Sequence, residues 1–536
     1  MLRRVCRSLS VGLVVASAAA GQRAPASGWV HGATCYEVFV RSFYDSDGDG
    51  IGDLKGLISK LDYINDGNPR SQRSLGARCI WLMPIMESPS YHGYDATDYY
   101  KVARAYGTNE DFRRLVTAAH QRGIRVLIDL VLNHTSSEHP WFQSAMRDTA
   151  SPYRAWYRWS KTNPNEKGPW GQDVWYKSPV RDEYYYAVFW SGMPDLNYET
   201  PAVRAEVKKI ARFWLKEMHV DGFRLDAVPF LMEDGGRLAG SPGTHALLHE
   251  YASYVHALRP ESFTVGEVYD SIGTMLTYYP DQLDSYFAFE VADSIIAAVR
   301  AGSARGLLAP VLRLQSAIPN DRWSPFLRNH DQPRTRTELG GDLRKARLAS
   351  FLLLTMPGVP FVYYGEEIGM IGAKPDERLR TPMQWRRGHA DGFTTGTPWE
   401  ALQEDSLATT VEAEDGDRSS VLTMNRRLVH LRAQTLALAE GRLVPLRASA
   451  DGVAAYARRV GQRVVLVVAN LTSTAIRGVT LSSAAGALPA GEWRVRSLLD
   501  RSSAASVHVG ADGQLSGYSA LAELAPLEGY VLELVR

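Results

Sequence analysis

Four short apolar runs in this chain of 536 residues each lead into an acid or a histidine. The first (RVLIDLVL) carries Asp129 and runs into Asn133 and His134, and the second carries Arg224 and Asp226. The third ends in Gly266 and Glu267, and the fourth leads into Arg328, Asn329, His330 and Asp331. One such residue is more often a helix cap or a salt-bridge partner. Four at equivalent places suggest a shared cleft, and carboxylates converging in a cleft suit cleavage of a glycosidic bond. Cleavage with retention needs a nucleophile and an acid/base whose carboxyls stand about 5–5.5 Å apart. Arg224 lies two residues before Asp226, on the same face of a period-2 strand, where its charge favours the ionised carboxylate a nucleophile must be. Glu267 follows a strongly apolar stretch and lies near two anionic groups, and both effects raise its pKa, as an acid/base requires. Asp331 is placed to stabilise an oxocarbenium-like transition state. His134 and His330 are placed to donate hydrogen bonds to sugar hydroxyls.

Carboxylates also alternate along DSDGDGIGD at 45–53, as Asp45, Asp47, Asp49 and Asp53, with the backbone carbonyl of Ile51 before the last. Oxygen donors at every second position suit a hard cation. The run matches an EF-hand loop at most of its ligand positions, but Gly56 stands where the final glutamate belongs. A strand, not a helix, is expected in front of it. A solvated acidic turn is the other reading.

These groups need a scaffold that brings distant strand ends together. Strand-like runs at 35–40, 79–85, 125–132, 221–228, 263–268, 285–289, 325–329 and 360–364 are mostly separated by helical stretches. Thr108, with Asp111 three residues on, caps one helix whose Phe112, Leu115, Val116 and Ala119 share a face, and Gly123 stops it. Thr200 and Pro201 start another, striped by Val203, Val207, Ile210, Trp214 and Met218. Eight such units predict an α/β fold closed as a (β/α)8 TIM barrel over 28–133 and 200–440, with active-site residues at the C-terminal strand ends. Residues 134–199, rich in Trp, Tyr, Pro and Gly, are too long for an ordinary loop. They are expected to form a small domain inserted after strand 3, with Trp156, Trp159, Trp170 and Trp175 as stacking surfaces for sugars. From 441 to 536, short β runs separated by Gly, Ser and Ala turns predict a C-terminal all-β sandwich.

A hydrophobic content of 45% with 22% charged residues excludes a disordered chain. Lys+Arg at 60 against Asp+Glu at 59 leaves no basic excess to drive nucleic-acid binding. Arg3, Arg4 and Arg7 precede an apolar run and then Ala18, Ala19 and Ala20, the order of a secretory signal peptide over 1–20. The apolar run is too short for a membrane span. A secreted or periplasmic protein is expected, with no membrane association after signal removal. Cys6 would leave with the signal. Cys35 and Cys79 either pair in an oxidising compartment or remain buried thiols on neighbouring strands.

With these motifs in order, the sequence resembles the α-amylase superfamily, glycoside hydrolase family 13, from about residue 28 to the C-terminus. Within it the resemblance is to the branch between α-amylases and oligosaccharide-active α-glucosidases. DLVLNH (129–134) is similar to the first family signature, GFRLDAV (222–228) to the second, Glu267 with its neighbours to the third, FLRNHD (326–331) to the fourth and MPDLN (193–197) to the fifth. The resemblance implies Asp226 as nucleophile, Glu267 as acid/base and Asp331 as transition-state stabiliser. Arg224, His134 and His330 match substrate and support residues. Tyr94 matches the aromatic platform under the sugar, with Asp95 supporting it. Arg380, in RTPMQW (380–385), matches a contact to the terminal sugar.

The resemblance further implies a structural Ca2+ at the acidic loop and no organic cofactor; the sequence does not fix the oligomeric state, with a monomer the favoured expectation. Its partner would be an α-glucan polysaccharide or oligosaccharide, not nucleic acid. A second calcium would use Asn133 and Asp195, but Phe230 stands where many amylases have His. MPDLN and the small Ala227 after the nucleophile point to a retaining α-amylase that cuts internal α-1,4-glucosidic bonds of starch and maltooligosaccharides. An exo-acting α-glucosidase or a trehalose synthase-like isomerase is the alternative. A non-catalytic carbohydrate binder is disfavoured by the three intact carboxylates.

Overall fold

Eight parallel strands follow one another round a single sheet: β1 (Cys35–Val38), β2 (Cys79–Leu82), β3 (Arg125–Leu130), β4 (Gly222–Leu225), β5 (Phe263–Gly266), β6 (Ser285–Phe287), β7 (Trp323–Ser324) and β8 (Phe361–Tyr363). β8 pairs with β1, and the two ends of the sheet meet where Val359 N–H donates to the Trp323 carbonyl (3.0 Å) and Phe361 N–H to the Pro325 carbonyl (2.9 Å). The sheet is therefore closed into a barrel. This computed structural model describes residues 28–536 except 235, 405–408, 501 and 503. The expected signal peptide, with Cys6, lies outside the described residues.

Strands wrapped by helices are buried on both faces, and the period-2 alternation decides which face each side chain takes. Tyr36, Val38, Ile80, Leu82, Ile128, Phe223 and Leu225 join the large core under the helices. Cys35, Cys79, Trp81, Leu127, Phe263, Val265, Phe287 and Phe361 form a second cluster that fills the barrel interior. Glu37, Asp129 and Arg224 continue that inward phase towards the C-terminal ends, with Asp129 opposite Arg224 in the β3–β4 register. The barrel thus has an apolar floor under an ionic upper layer. Cys35 and Cys79 face each other in the first rung of β1 and β2 and are joined by a disulfide.

Every strand is shorter than the apolar run that predicts it or is displaced from it, and two of these differences have a visible cause. Strand seven ends at Ser324 and does not occupy 325–329, because Pro325 has no N–H to extend the ladder. β1 ends at Val38, and a one-turn helix (Val40–Phe43) stands before the acidic loop. The loop folds back on that turn, with Gly52 N–H donating to the Arg41 carbonyl (2.7 Å).

Helix α1 (Asn109–Gln121) starts with a full capping box between Thr108 and Asp111 and buries Phe112, Leu115, Val116 and Ala119. Helix α2 (Pro201–Arg212) has Pro201 in its first turn, but Thr200 makes no side-chain cap. Its hydroxyl donates instead to the Ala155 carbonyl (2.5 Å), tying the helix start to the segment after β3. That segment carries a helix (Pro140–Arg147) and a three-stranded antiparallel sheet of Trp159–Ser160, Trp175–Lys177 and Tyr184–Tyr186. The bridges His134–Asp195 and Tyr157–Leu196 close its base.

Beyond the barrel lies a six-stranded antiparallel sheet, including Val453–Val460, Arg463–Asn470 and Gly529–Val535, with two short two-stranded pairs beside it. Alternation again sorts its faces. Ala454, Tyr456, Val465, Val467 and Val531 pack into the barrel's outer core. Ala455, Ala457, Val464, Leu466 and Leu532 form the domain's own core with Leu481, Leu515 and Leu524.

Candidate active site

β4 carries Arg224 into the barrel and releases Asp226 at its rim. Ala227 follows in the left-handed region (φ 48°) and turns the chain into the short helix Val228–Phe230. A β-branched side chain would be strained in that region. The Arg224 Nη1 donates to both oxygens of Asp129 (3.0 Å each) and to Asp226 Oδ1 (2.5 Å), while Nη2 lies 2.8 Å from Glu267 Oε2. One buried guanidinium therefore bridges three carboxylates. Asp226 was the expected partner; the reach across to Asp129 and Glu267 depends on strand register and is invisible in the sequence. Burial pushes the Asp129 carboxyl up to about 7 against the pull of Arg224. Burial, reinforced by Asp226 and Asp331, also raises Glu267, with Arg224 opposing. A carboxyl that keeps its proton above the usual range suits leaving-group protonation.

His330 and Asp331 follow β7 on the irregular segment after Pro325. Asp331 Oδ2 lies 3.1 Å from His330 Nε2, and its Oδ1 accepts from Arg380 Nη2 at 2.8 Å. Desolvation opposes the Asp331 charge, but His330, Arg380 and Arg224 outweigh it and hold this carboxyl well below the usual range. On the other side of the ring, His330 Nδ1 donates to Glu37 Oε1 at 2.6 Å. Desolvation likewise opposes the His330 charge, but Asp331 and Glu37 lift it to about 10. Glu37 was missed at the sequence level, although an acid inside the apolar strand CYEV is the same signal that marked Asp129.

Tyr94 stacks on His330 (centroids 5.6 Å, planes 18° apart), and its hydroxyl lies 2.5 Å from His330 Nε2 and 3.2 Å from Asp129 Oδ2. Asp95 is buried and accepts from the hydroxyls of Ser88 and Ser90, so it braces the loop under Tyr94. His134 Nε2 donates to the Tyr94 carbonyl (3.2 Å), and burial lowers its pKa to about 4, leaving the ring neutral. Arg380 Nε donates to the His330 carbonyl (3.0 Å), and Nη1 to the Tyr91 hydroxyl (3.3 Å).

Asp226, Glu267 and Asp331 share a cavity of about 560 Å3 with Tyr94, His134 and Arg380. His92, Asp376 and Arg380 line it, as do Trp170, Phe189, Phe230 and Tyr269. Trp170 packs on Phe189 (5.7 Å) and Phe230 (5.4 Å) yet is 62% exposed. Of the four tryptophans expected to stack on sugars, only Trp170 lines this cavity. Trp156 is buried against Trp141, Trp159 stacks on Phe142 beneath Arg154, and Trp175 packs edge-on to Tyr186. Those three are committed to the core of the inserted segment.

In the acidic loop, carboxylate oxygens of Asp45, Asp47 and Asp49 lie within 4.8 Å of one another. Asp45 accepts from the N–H groups of Asp47 (3.0 Å), Gly48 (2.8 Å) and Gly50 (2.8 Å). Gly50 (φ 92°) approaches Thr397 so closely that a Cβ would lie 1.9 Å from its carbonyl oxygen. Asp47 is raised despite the Asp49 N–H it accepts, because desolvation and the charges of Asp49, Asp45 and Asp53 prevail. Three hard oxygen donors clustered in one loop fit a divalent cation, which Asp45, Asp47, Asp49 and the Ile51 carbonyl would hold. Asp53 is engaged elsewhere: it accepts from Ser46 N–H (2.7 Å) and Gly56 N–H (2.8 Å) and caps the helix Leu54–Ser59. At the second expected calcium position, Asn133 Nδ2 already donates to the Phe230 carbonyl (2.6 Å), and Asp195 accepts from Val188 N–H (2.9 Å).

Residues 37–441 match the family model described as alpha amylase, catalytic domain. The chain is 41% identical over 450 residues to Alpha-amylase 3 of Dictyoglomus thermophilum, covering 83% of this chain and 85% of the relative. It is 36% identical over 493 residues to Trehalose synthase/amylase TreS of Mycobacterium tuberculosis, covering 81% and 80%. The fold superposes on the crystal structure of the alpha-amylase from H.orenii with a TM-score of 0.82 at 40% identity, over 94% of this chain and 99% of that one.

Proposed function

This chain belongs to the α-amylase family of glycoside hydrolases, and from that premise we propose that it is an exported, retaining enzyme that cuts internal α-1,4-glucosidic bonds of starch and maltooligosaccharides. The carrying observation is that Asp226 and Glu267 share the buried Arg224 guanidinium and line one cavity with Asp331. In this reading Asp226 attacks the anomeric carbon as Glu267 protonates the departing oxygen. Water, deprotonated by Glu267, then releases the sugar from Asp226. Asp331 and His330 bind the ring hydroxyls and steady the positive charge of the transition state. Trp170, Phe189, Phe230 and Tyr269 offer apolar faces to further sugar rings. The Cys35–Cys79 disulfide supports export, because such bonds persist in oxidising compartments. Calcium at Asp45, Asp47 and Asp49 would rivet the loop that follows β1.

A second reading has its own observation. Arg380, paired with Asp331 and 3.6 Å from Asp376, lines the cavity with His92. A wall there makes a pocket for chain ends, as an exo-acting α-glucosidase or a trehalose synthase-like isomerase needs. Iodine colour followed against reducing ends separates the two. Colour that collapses early in hydrolysis supports internal cleavage; glucose as the sole early product supports the pocket.

A further inference from the structure

Glu37 stands on β1 between Tyr36 and Val38, which face the outer core, and is 2% exposed inside the barrel. A carboxylate there is costly unless it is paired and hydrogen-bonded. Its hydrogen bond is to His330 Nδ1, at 2.6 Å. The other ring nitrogen faces Asp331 Oδ2 at 3.1 Å and the Tyr94 hydroxyl at 2.5 Å. A neutral imidazole has one N–H and one lone pair. With Nδ1–H given to Glu37, a neutral ring would turn its Nε2 lone pair towards the Asp331 carboxylate. Burial pushes the Glu37 carboxyl up, and His330 and Arg224 oppose that rise; with Glu37 ionised, two carboxylates on opposite nitrogens require both N–H groups. The Tyr94 hydroxyl then remains free to donate to Asp129 Oδ2.

We propose that Glu37 is a positioning residue for the glycosidic reaction: from inside the barrel its carboxylate holds the His330 ring in place as an imidazolium, so that Nε2–H is presented to Asp331 and to the sugar. The inference rests on the α-glucan-hydrolase reading for its kinetic consequence, but not for the protonation state. His330 is the cation nearest Asp331 on the barrel side, as Arg380 is on the cavity side. The charged and titratable groups facing the ring are Glu37 from β1, Tyr94 after β2, Asp129 on β3, Glu267 after β5 and its neighbour Asp331. Arg380 touches only its backbone carbonyl. With Asp331 carrying the opposite charge, the role of Glu37 is to keep the second proton on the ring while Asp331 is engaged with substrate. A plain packing role for Glu37 predicts a change in stability alone.

Glu37→Gln keeps the shape and an acceptor for Nδ1–H but removes the charge; Glu37→Leu removes both. For the glutamine variant, kcat on starch should fall about tenfold with KM little changed. The leucine variant should lose about 100-fold in kcat, because the ring is no longer oriented. In 15N-histidine NMR of the full chain, assigned with His330→Asn, the wild-type ring should keep both N–H signals beyond about pH 8, and the glutamine variant should lose one below it. A glutamine variant with wild-type kcat whose His330 ring keeps both N–H signals as the wild type does overturns the proposal. If that variant fails to fold, the wild-type titration decides: a ring that becomes neutral near the ordinary histidine value overturns it. A wild-type enzyme inactive on α-glucans would refute the functional reading and leave the NMR test of Glu37 standing.

Discussion

Replacing Arg224 by lysine keeps the charge and removes the fork. The guanidinium spreads its contacts over two nitrogens, with Asp129 and Asp226 on Nη1 and Glu267 on Nη2. A lysine ammonium sits about where the guanidinium carbon lay, one bond short of both nitrogens, and cannot span Asp226 and Glu267 together. The variant should therefore lose two charge-assisted hydrogen bonds that align the reacting carboxyls. At the low end of about 1.5–3 kcal/mol each, that is about 3 kcal/mol, or roughly 100-fold in rate. Arg224 is 1% exposed and does not line the cavity, so the loss belongs in kcat with KM nearly constant. The three carboxylates still share a cation, so the fold should persist. Arg224→Met, by contrast, leaves them uncompensated at a cost of about 3–5 kcal/mol in stability. Steady-state kinetics on a soluble maltooligosaccharide, with circular dichroism as the folding control, make the test. A lysine variant within about threefold of wild-type kcat, or one whose defect lies wholly in KM, refutes the reasoning.

Asp226→Asn and Glu267→Gln should each abolish turnover in folded protein, and azide should restore part of the activity of Glu267→Ala on an activated glucoside; starch hydrolysis near the wild-type rate by either amide argues against the assignment. Because burial raises Glu267 and the acid form is the active one, kcat/KM should fall as pH rises through that raised value, and Arg224→Met, which removes the group opposing the rise, should move the limb upward. Calcium should raise the thermal midpoint by binding only the folded loop, and Asp47→Ala with Asp49→Ala should erase that response; a shift kept in full places the ion elsewhere. The Cys35–Cys79 bond closes a span of 44 residues, for which chain entropy gives about 4 kcal/mol. Replacing both by alanine should lower the denaturation midpoint accordingly, and two free thiols in the unreduced mature chain would contradict the bond.

The residues that the sequence marks and the structure gathers at one cavity are those where local pattern and position coincide. Acids that end apolar runs were visible because strand ends in a barrel are equivalent places, and the Thr108–Asp111 box because its chemistry lies within four residues. What escaped the sequence depends on register or on three-dimensional partners. Glu37 lies mid-strand, and only the inward phase it shares with Asp129 and Arg224 shows that it faces the site. The reach of Arg224 to Glu267 follows from the pairing of β4 with β5. Trp156, Trp159 and Trp175 have the same composition signal as Trp170, and only packing separates core from cleft. Asp53 reads as a cation ligand by spacing, yet the helix start at Leu54 needs its carboxylate as a cap.

The central claim is that Asp226 is the nucleophile of a retaining α-glucan hydrolase. Trapping with 5-fluoro-α-D-glucosyl fluoride, followed by peptide mapping of the inactivated enzyme, tests it most directly. A single covalent glucosyl adduct on the peptide carrying Asp226, absent in Asp226→Asn, is the result predicted. An adduct on another carboxylate, or steady turnover of the reagent with no adduct accumulating even in Glu267→Gln, would contradict it.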